Sequence, residues 1–152
     1  MSQFQETEFD DFVEAHEASL RAALVSLYGP EDGRDATAEG LAWAWENWHR
    51  VRSMRSPRGY VFRVAQSKSR QKRQGLMPYV DRVGRIPEFE PELAAGLSQL
   101  SESQRIAVVL VYGCDWTYDE VAEALNISKS SVGTHLKRGL NGLRRHLEVD
   151  HA

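Results

Sequence analysis

The chain has 152 residues and a mass of 17.2 kDa, enough for one compact domain or two small ones. Its hydrophobic content of 41% supports a folded protein. The long apolar runs of a membrane span or a secretory signal peptide are missing, so we expect no membrane insertion. The lone Cys114 cannot form an internal disulfide, which fits a reducing, cytoplasmic location.

The formal net charge of −3 conceals a strong partition of charge along the sequence. Residues 1–49 hold eleven acids and only two Arg or Lys residues, whereas residues 47–80 hold no acid and nine bases. The net charge alone would argue against nucleic-acid binding. The clustering of the bases indicates the opposite.

The first two predicted helices lie in the acidic part of the chain. Apolar residues recur at helical spacing from Phe9 to Leu27, and Gly29-Pro30 is expected to end that helix. Asp32 and Asp35 precede a second helix over about residues 36–49, where their charge suits the helix dipole.

Tryptophans mark the second predicted helix. Leu41, Trp45 and Trp48 are expected to form its core face. Trp43 points elsewhere, either as packing at the boundary of the core or as an anchor for a protein contact.

A third helix is predicted to begin at Ser56-Pro57 and to run to about Gly75, with Ser56 as its N-cap. Tyr60, Val61 and Val64 face inward. A basic run is usually a solvated face, but the interleaved aromatic residues here favour contact with nucleic acid. The residues proposed for that contact are Arg58, Arg63, Gln66, Ser67, Arg70, Lys72 and Arg73.

The helical pattern decays after Gly75. Residues 76–92 are rich in proline, glycine and glutamate, which predicts a flexible linker. Leu93, Leu97 and Leu100 then begin the packing of a second unit.

Two capping boxes mark predicted helix starts in the C-terminal part of the chain. Ser101 with Gln104 predicts the start of a helix that Gly113 closes, and Thr117 with Glu120 predicts the start of the next. Residues 126–128 form a tight turn in which Ser128 can cap a last helix reaching to about Leu147.

The last predicted helix has two contrasting faces. Leucines and a valine recur at three or four residues on one side, and no acid occurs from Lys129 to His146. A helix, a short turn and a second helix with a small, polar and basic N-terminal face is the helix-turn-helix pattern, because cations neutralise phosphates and small hydroxyl groups approach base edges. The alternative is an amphipathic helical hairpin in an ordinary all-α domain. The proposed DNA-facing residues are Lys129, Ser130, Ser131, Thr134, His135, Lys137 and Arg138.

Catalytic chemistry finds no support in the sequence. The five histidines are scattered, with no zinc-binding spacing, no phosphate-binding glycine loop and no nucleophile elbow. We predict neither a catalytic site nor a metal or cofactor.

The two helical units together resemble the bacterial sigma factors of RNA polymerase, of the extracytoplasmic-function type that has only regions two and four. Three C-terminal segments look like region four: LSESQR at 100–105, TYDEVAEAL at 117–125 and NISKSSV at 126–132. PED at 30–32, DATAE at 35–39 and SPRGYVFRVA at 56–65 look like region two. The order and spacing of both parts make the assignment firmer than either part does separately.

The resemblance implies an all-α fold of two small domains and a division of labour between them. Residues 1–75 would be the region-two domain, 76–92 the linker and 93–152 the helix-turn-helix domain. Asp32, Asp35, Glu39 and Trp43 would contact core RNA polymerase. The basic helix after Pro57 would read and open the downstream promoter element, and the last helix would read the upstream element. The resemblance also implies a further partner, an anti-sigma protein.

The chain departs from the family pattern at several positions. Ala36-Thr37-Ala38 stands where bulkier residues and an amide are usual, and Ser67 and Gln71 stand where Asn and Asp are usual. Gly133 and His135 replace the common Lys and Arg of the last helix. Two alternatives therefore stay open: a helix-turn-helix regulator that acts without polymerase, and a sigma-like module that only binds other proteins.

Overall fold

The computed structural model describes residues 2–72 and 77–150, with no description of the side chains at 71, 72, 149 and 150. Throughout those two ranges the regular structure is helical, as the sequence predicted. None of the described helices combines the length and apolarity needed to cross a bilayer. The helices are α1 (Gln3–Tyr28), α2 (Pro30–Glu46), α3 (Trp48–Val51), α4 (Pro57–Lys72), α5 (Tyr79–Val83), α6 (Pro91–Ser98), α7 (Glu102–Val108), α8 (Tyr118–Leu125) and α9 (Lys129–Asp150).

Helices α1 and α2 form a tight hairpin. α1 ends at Gly29, whose φ of 92° suits a residue without a side chain, and Pro30 starts α2 directly. A Cβ built at Gly33 would lie 2.4 Å from the Val25 Cα, so glycine is what lets the two helix backbones approach. α2 therefore begins earlier than predicted.

One prediction about the tryptophans is wrong. Trp45 is 39% exposed and only meets the edge of Phe9, whereas Trp48 is buried against Phe9 and Phe12. The reason is that the buried face of α2 is made of small residues at helical spacing, among them Ala36, Gly40 and Ala44, and Trp48 continues the same face. Trp45 comes one position after Ala44 and therefore points to the side of that face. Trp43 is half-buried beside Tyr60, with ring centroids 5.8 Å apart.

The segment predicted as a linker contains helix α5 and the start of α6. α5 packs on α1: Tyr79 and Val83 are buried, and the Tyr79 hydroxyl donates to the Ser26 carbonyl oxygen at 3.3 Å. The Arg105 guanidinium lies 4.4 Å from the centre of the Tyr79 ring. Burial raises the pKa of Tyr79 to about 12, although Arg105 and Arg82 act against that rise. The domain boundaries at 75 and 93 stay a prediction.

The C-terminal half has the predicted helix-turn-helix. Both capping boxes are present, Ser101 with Gln104 at the start of α7 and Thr117 with Glu120 at the start of α8. α7 continues as a π-helical turn, Val109–Gly113. Asn126 ends α8 in the left-handed conformation, and the Ser128 hydroxyl accepts the Ser131 amide at 3.1 Å to cap α9.

The two halves share one continuous core. α4 of the N-terminal half packs on α8 of the C-terminal half. Phe62 of α4 is 0% exposed and meets the 2% exposed Trp116 edge to face, with ring centroids 5.6 Å apart. A Cβ built at Gly59 would lie 2.4 Å from the Glu120 carbonyl oxygen, so glycine allows the two helices to touch.

Candidate nucleic-acid interface

The residues predicted to read the upstream element share one face of α9. Lys129, Ser130, Thr134, Lys137 and Arg138 are exposed, and Ser131 and His135 are half-buried beside them. On the opposite side Val132 and Leu136 are buried, as the periodicity predicted, and Leu140 and Leu143 are half-buried against the core.

The polar groups at the start of α9 are ordered by short-range hydrogen bonds. The Thr134 hydroxyl donates to the Ser130 carbonyl oxygen at 3.2 Å, which leaves its oxygen available to accept from a base. The Lys129 ammonium lies 3.5 Å from Asp119, which also meets Arg55 at 3.5 Å. Lys137 and Arg138 make no ion pair with the acids in the described part of the chain. This face is therefore open and cationic.

The surface predicted for the downstream element lies on α4, and acids of the C-terminal half cover part of it. Gln66 is only 6% exposed, and its amide donates to the Tyr28 hydroxyl at 2.9 Å and to Glu102 at 3.0 Å. Arg70 forms an ion pair with the same Glu102 carboxylate, which raises the pKa of Arg70 through the hydrogen bond between them.

Two further predicted residues of α4 are less engaged. Ser67 is exposed, and Arg63 is half-buried with its guanidinium 4.8 Å from the centre of the Tyr60 ring. The Lys72 side chain and Arg73 lie outside the described residues.

Arg58 is the most enclosed cation of this surface. Its Nε donates to Glu120 Oε2 at 2.6 Å, its Nη1 to the Ser19 hydroxyl at 3.0 Å, and its guanidinium lies 4.5 Å from the Trp116 ring centre. Burial alone would raise the pKa of Glu120. Hydrogen bonds from Arg58 and Thr117 and the charge of Arg58 outweigh that effect, so the pKa lies below its ordinary value.

Sequence reasoning missed Glu102, Glu120 and Trp116 as neighbours of α4. Glu120 was recognised only as the end of a capping box. Its pairing with Arg58, 62 positions away, depends on how the two halves pack. No local sequence pattern predicts that pairing.

The residues predicted to contact polymerase follow one another along α2 at three- or four-residue spacing. Asp35 is exposed, and Asp32, Glu39 and Trp43 are half-buried. Two of the unusual residues beside them point inward: Ala36 and Thr37 are buried, and the Thr37 hydroxyl donates to the Gly33 carbonyl oxygen at 2.7 Å. Only Ala38 of that trio is exposed.

Comparison with known proteins shows what this part of the chain is similar to. Residues 92–142 match the family model described as "Sigma-70, region 4". This stretch of the chain is therefore similar to a sigma-70 region 4. It comprises the helix-turn-helix and the greater part of α9, so the match includes every predicted upstream-reading residue.

A curated relative extends the likeness at the sequence level. The "ECF RNA polymerase sigma factor SigX" of Bacillus subtilis (strain 168) is 38% identical over 76 residues, which cover 50% of this chain and 38% of SigX. The match thus spans well under two thirds of that relative's length.

Solved structures extend the likeness to the whole fold. The sigma factor RpoE of Bartonella quintana, solved with the anti-sigma factor NepR, superposes with a TM-score of 0.71 at 18% identity, covering 94% of this chain and 98% of RpoE. CnrH, solved with the cytosolic domain of CnrY, gives a TM-score of 0.70 at 21% identity, covering 95% of this chain and 90% of CnrH. The predicted all-α fold is therefore confirmed.

No metal centre accompanies this interface within residues 2–72 and 77–150, where no three His, Cys, Asp or Glu side chains gather in a way that would hold an ion. What the arrangement offers is a set of cationic and hydrogen-bonding groups on two helices, which suits recognition of a polyanion.

Proposed function

We propose that this chain is a sigma factor that directs RNA polymerase to specific promoters and assists their opening. The observation that carries the proposal is the open, acid-free face of α9 within a region 4 helix-turn-helix. Its cations suit phosphates, and its small hydroxyl groups suit base edges in the major groove.

The second part of the proposal concerns α4. Opening a promoter requires capture of separated bases, and cations with short polar groups suit that task. α4 offers Arg63, Ser67 and Arg70 toward solvent or only partly buried, with Gln66 and Arg58 on the same helix. This helix is proposed to contact the downstream element.

The third part concerns the polymerase. Asp32, Asp35 and Glu39 form an acidic row on α2, and Trp43 continues it. Because Ala36 and Thr37 are buried, these two departures leave the row itself unchanged. The acidic row is proposed to bind core polymerase. By analogy with RpoE, which was solved with an anti-sigma factor, a protein of that class is proposed as a further partner.

One observation favours a second candidate, a duplex-binding regulator that acts without polymerase. In this structure the α9 face is open, whereas Arg58, Gln66 and Arg70 of α4 are engaged by carboxylates. A protein in this state would bind duplex through α9 alone.

A pull-down with core RNA polymerase, followed by run-off transcription on genomic fragments, separates the candidates. A sigma factor retains core enzyme and yields transcripts with defined start sites. Duplex binding without core retention would establish the regulator instead. Core retention without any transcript would leave only a protein-binding module.

A further inference from the structure

A pocket of about 460 Å³ lies between the start of α5, the end of α6 and helix α7. Its volume falls in the range of about 300–1,000 Å³ in which proteins bind small molecules. Arg82 of α5 and Arg105 of α7 both line it, and its described lining residues include no Asp or Glu. The α5–α7 pocket is therefore cationic, and none of the roles proposed above uses it.

Arg105 is held rigidly at this pocket and has hydrogen-bond donors to spare. Its Nε donates to the Leu97 carbonyl oxygen at 3.0 Å, and its Nη2 donates to the Leu100 carbonyl oxygen at 3.2 Å. Its guanidinium also lies 4.4 Å from the centre of the Tyr79 ring. No group in the described part of the chain accepts from Nη1. A fixed guanidinium with unused donors is a preorganised contact for an anion.

Arg82 supplies a second positive charge to the same pocket. Burial raises the pKa of Tyr79 to about 12, and the charges of Arg105 and Arg82 both oppose that rise. Both cations therefore lie close to one buried ring in the pocket wall. Because they belong to different helices, their donors approach an ion in the pocket from two sides.

This arrangement favours a phosphate group over a carboxylate. A carboxylate has two oxygens in one plane, which the fork of a single guanidinium can bind. A phosphate monoester carries about −1.5 to −2 charges at neutral pH, and its acceptor oxygens point in different directions. It can therefore accept hydrogen bonds from two guanidiniums at once. The side chains of Met77, Pro78 and Val80 also line the pocket, so an organic group attached to the phosphate would meet an apolar wall.

We propose that the α5–α7 pocket binds a small phosphorylated molecule, with Arg82 and Arg105 holding its phosphate groups and the apolar wall contacting its organic part. The bound molecule joins α5 to α7. Because α5 also packs on α1, the ligand stabilises the docked position of α5. This inference concerns a site separate from the proposed promoter contacts, and its test needs neither DNA nor polymerase.

The test measures binding of inorganic pyrophosphate and of adenosine 5′-diphosphate to the full chain by isothermal titration calorimetry. Both probes are expected to bind one to one, the nucleotide more tightly because its nucleoside meets the apolar wall. Succinate, a dianion with two carboxylates, should bind at least about ten-fold more weakly than pyrophosphate because it fills fewer of the donors. Absence of saturable pyrophosphate binding would overturn the proposal, and so would succinate binding of equal strength.

A pair of substitutions at Met77 locates the probe in the pocket. Met77 is 43% exposed, so Met77→Glu adds a carboxylate to the lining without removing a side chain from the core. It should weaken pyrophosphate binding by about ten-fold or more through like-charge repulsion. The uncharged Met77→Gln is the matched control and should keep the native affinity. Equal affinities of these two variants would contradict the proposed site.

The arginine contact is tested with a second matched pair. Arg82→Gln should weaken pyrophosphate binding by about ten-fold or more, because a charge-assisted hydrogen bond is lost. Arg85→Gln removes an exposed cation that does not line this pocket and should keep the native affinity to within about two-fold. Equal weakening by both would show a diffuse effect of charge. Arg82 also interacts within the fold, so the Met77 pair keeps the test independent of any loss of stability in Arg82→Gln.

The open face of α9 is another cationic surface to which the probes have access. Lys137→Ala/Arg138→Ala leaves the α5–α7 pocket intact and should retain the native affinity for pyrophosphate. Loss of binding in this variant would place the probe on α9 and overturn the proposal. Pyrophosphate at about one hundred times its Kd should raise the midpoint of thermal unfolding by about 5–10 °C in the native protein and in Met77→Gln. The same concentration should produce a much smaller rise in Met77→Glu.

Discussion

Arg58 and Glu120 lie 62 positions apart in the sequence and face each other across the two halves of the molecule. Nε and Nη2 of Arg58 both approach Glu120 Oε2, at 2.6 and 2.5 Å. The two side chains are only 16% and 18% exposed, so water screens this pair less than a surface ion pair. One residue belongs to the predicted DNA surface of α4 and the other to the capping box of α8.

The Arg58–Glu120 pair should contribute measurably to stability. A double-mutant cycle of Arg58→Met and Glu120→Gln, followed by urea unfolding, is expected to give a coupling energy of about 1–2 kcal/mol. The exposed pair Arg21–Glu17, within one helix, is the matched control and should give about 0.3–0.5 kcal/mol. Equal couplings for the two pairs would contradict this expectation.

His16 should make stability depend on pH. Burial, helped by the charge of Arg58, lowers the pKa of His16 below 6.5, and its Nδ1 finds no partner in the described part of the chain. As pH falls through 6.5, the unfolded chain binds the proton before the folded one does, so this stabilisation is lost on acidification. The free energy of unfolding should fall more between pH 7.5 and 5.5 for the native protein than for His16→Gln. The lowered pKa of Glu120 acts in a separate, more acidic window, below about 4.5.

Lys137 and Arg138 should act as phosphate contacts. Replacing both with Ala is expected to weaken duplex binding for every sequence and to reduce the salt slope by about 0.9 for each lost contact. Arg144→Ala/Arg145→Ala, which removes two exposed cations further along α9, is the matched control. Ser130→Ala or Thr134→Ala should instead change base preference in selection from a random duplex pool. If all four changes weaken all sequences equally, α9 positions the protein and does not read bases.

The basic residues at 70, 72 and 73 should be needed for promoter opening. Arg70→Ala/Lys72→Ala/Arg73→Ala is expected to keep polymerase binding and part of promoter recruitment, because α9 still holds the upstream element. Permanganate reactivity of thymines near the start site should vanish on linear duplex. A template mismatched over that region should restore transcription, since melting is then not required of the protein. Normal opening by the triple variant would show that this surface has no role in melting.

The exposed turn between α5 and α6 should be the first site of proteolysis. Glu88 is exposed and outside any helix, whereas Glu90 precedes Pro91 and resists cleavage. A Glu-specific protease at low ratio should therefore cut after Glu88 first, as mass spectrometry would identify. The two fragments should still co-elute in gel filtration because α4 remains packed on α8. First cleavage inside α1 or α9 would argue against this arrangement.

Local sequence signals predicted where helices begin and end, because the contacts that start and stop a helix join residues close together in the sequence. Ser101 with Gln104 and Thr117 with Glu120 form the expected capping boxes, and Gly29-Pro30 separates α1 from α2. In each case the partner lies within four residues, so spacing alone specifies the contact.

Features that depend on distant contacts were not predicted. Trp45 was placed in the core, but the buried face of α2 consists of small residues such as Gly40 and Ala44, because neighbouring helices pack closely there, and apolar periodicity does not single them out. Gln66 was expected on an open surface, yet its burial follows from the approach of Glu102, 36 positions away. Such pairings are set by tertiary packing, which periodicity does not encode.

The docking of α5 on α1 also determines how far the C-terminal half can move away from the N-terminal half. While Tyr79 stays bonded to the Ser26 carbonyl oxygen, only residues 84–90 can extend between α5 and α6. At about 3.3–3.6 Å per residue these seven residues span about 23–25 Å. For the sigma factor proposed above, the spacer between two DNA elements bound at once would thus be limited by a single buried tyrosine. Release of Tyr79 would lengthen that tether and admit a wider spacer.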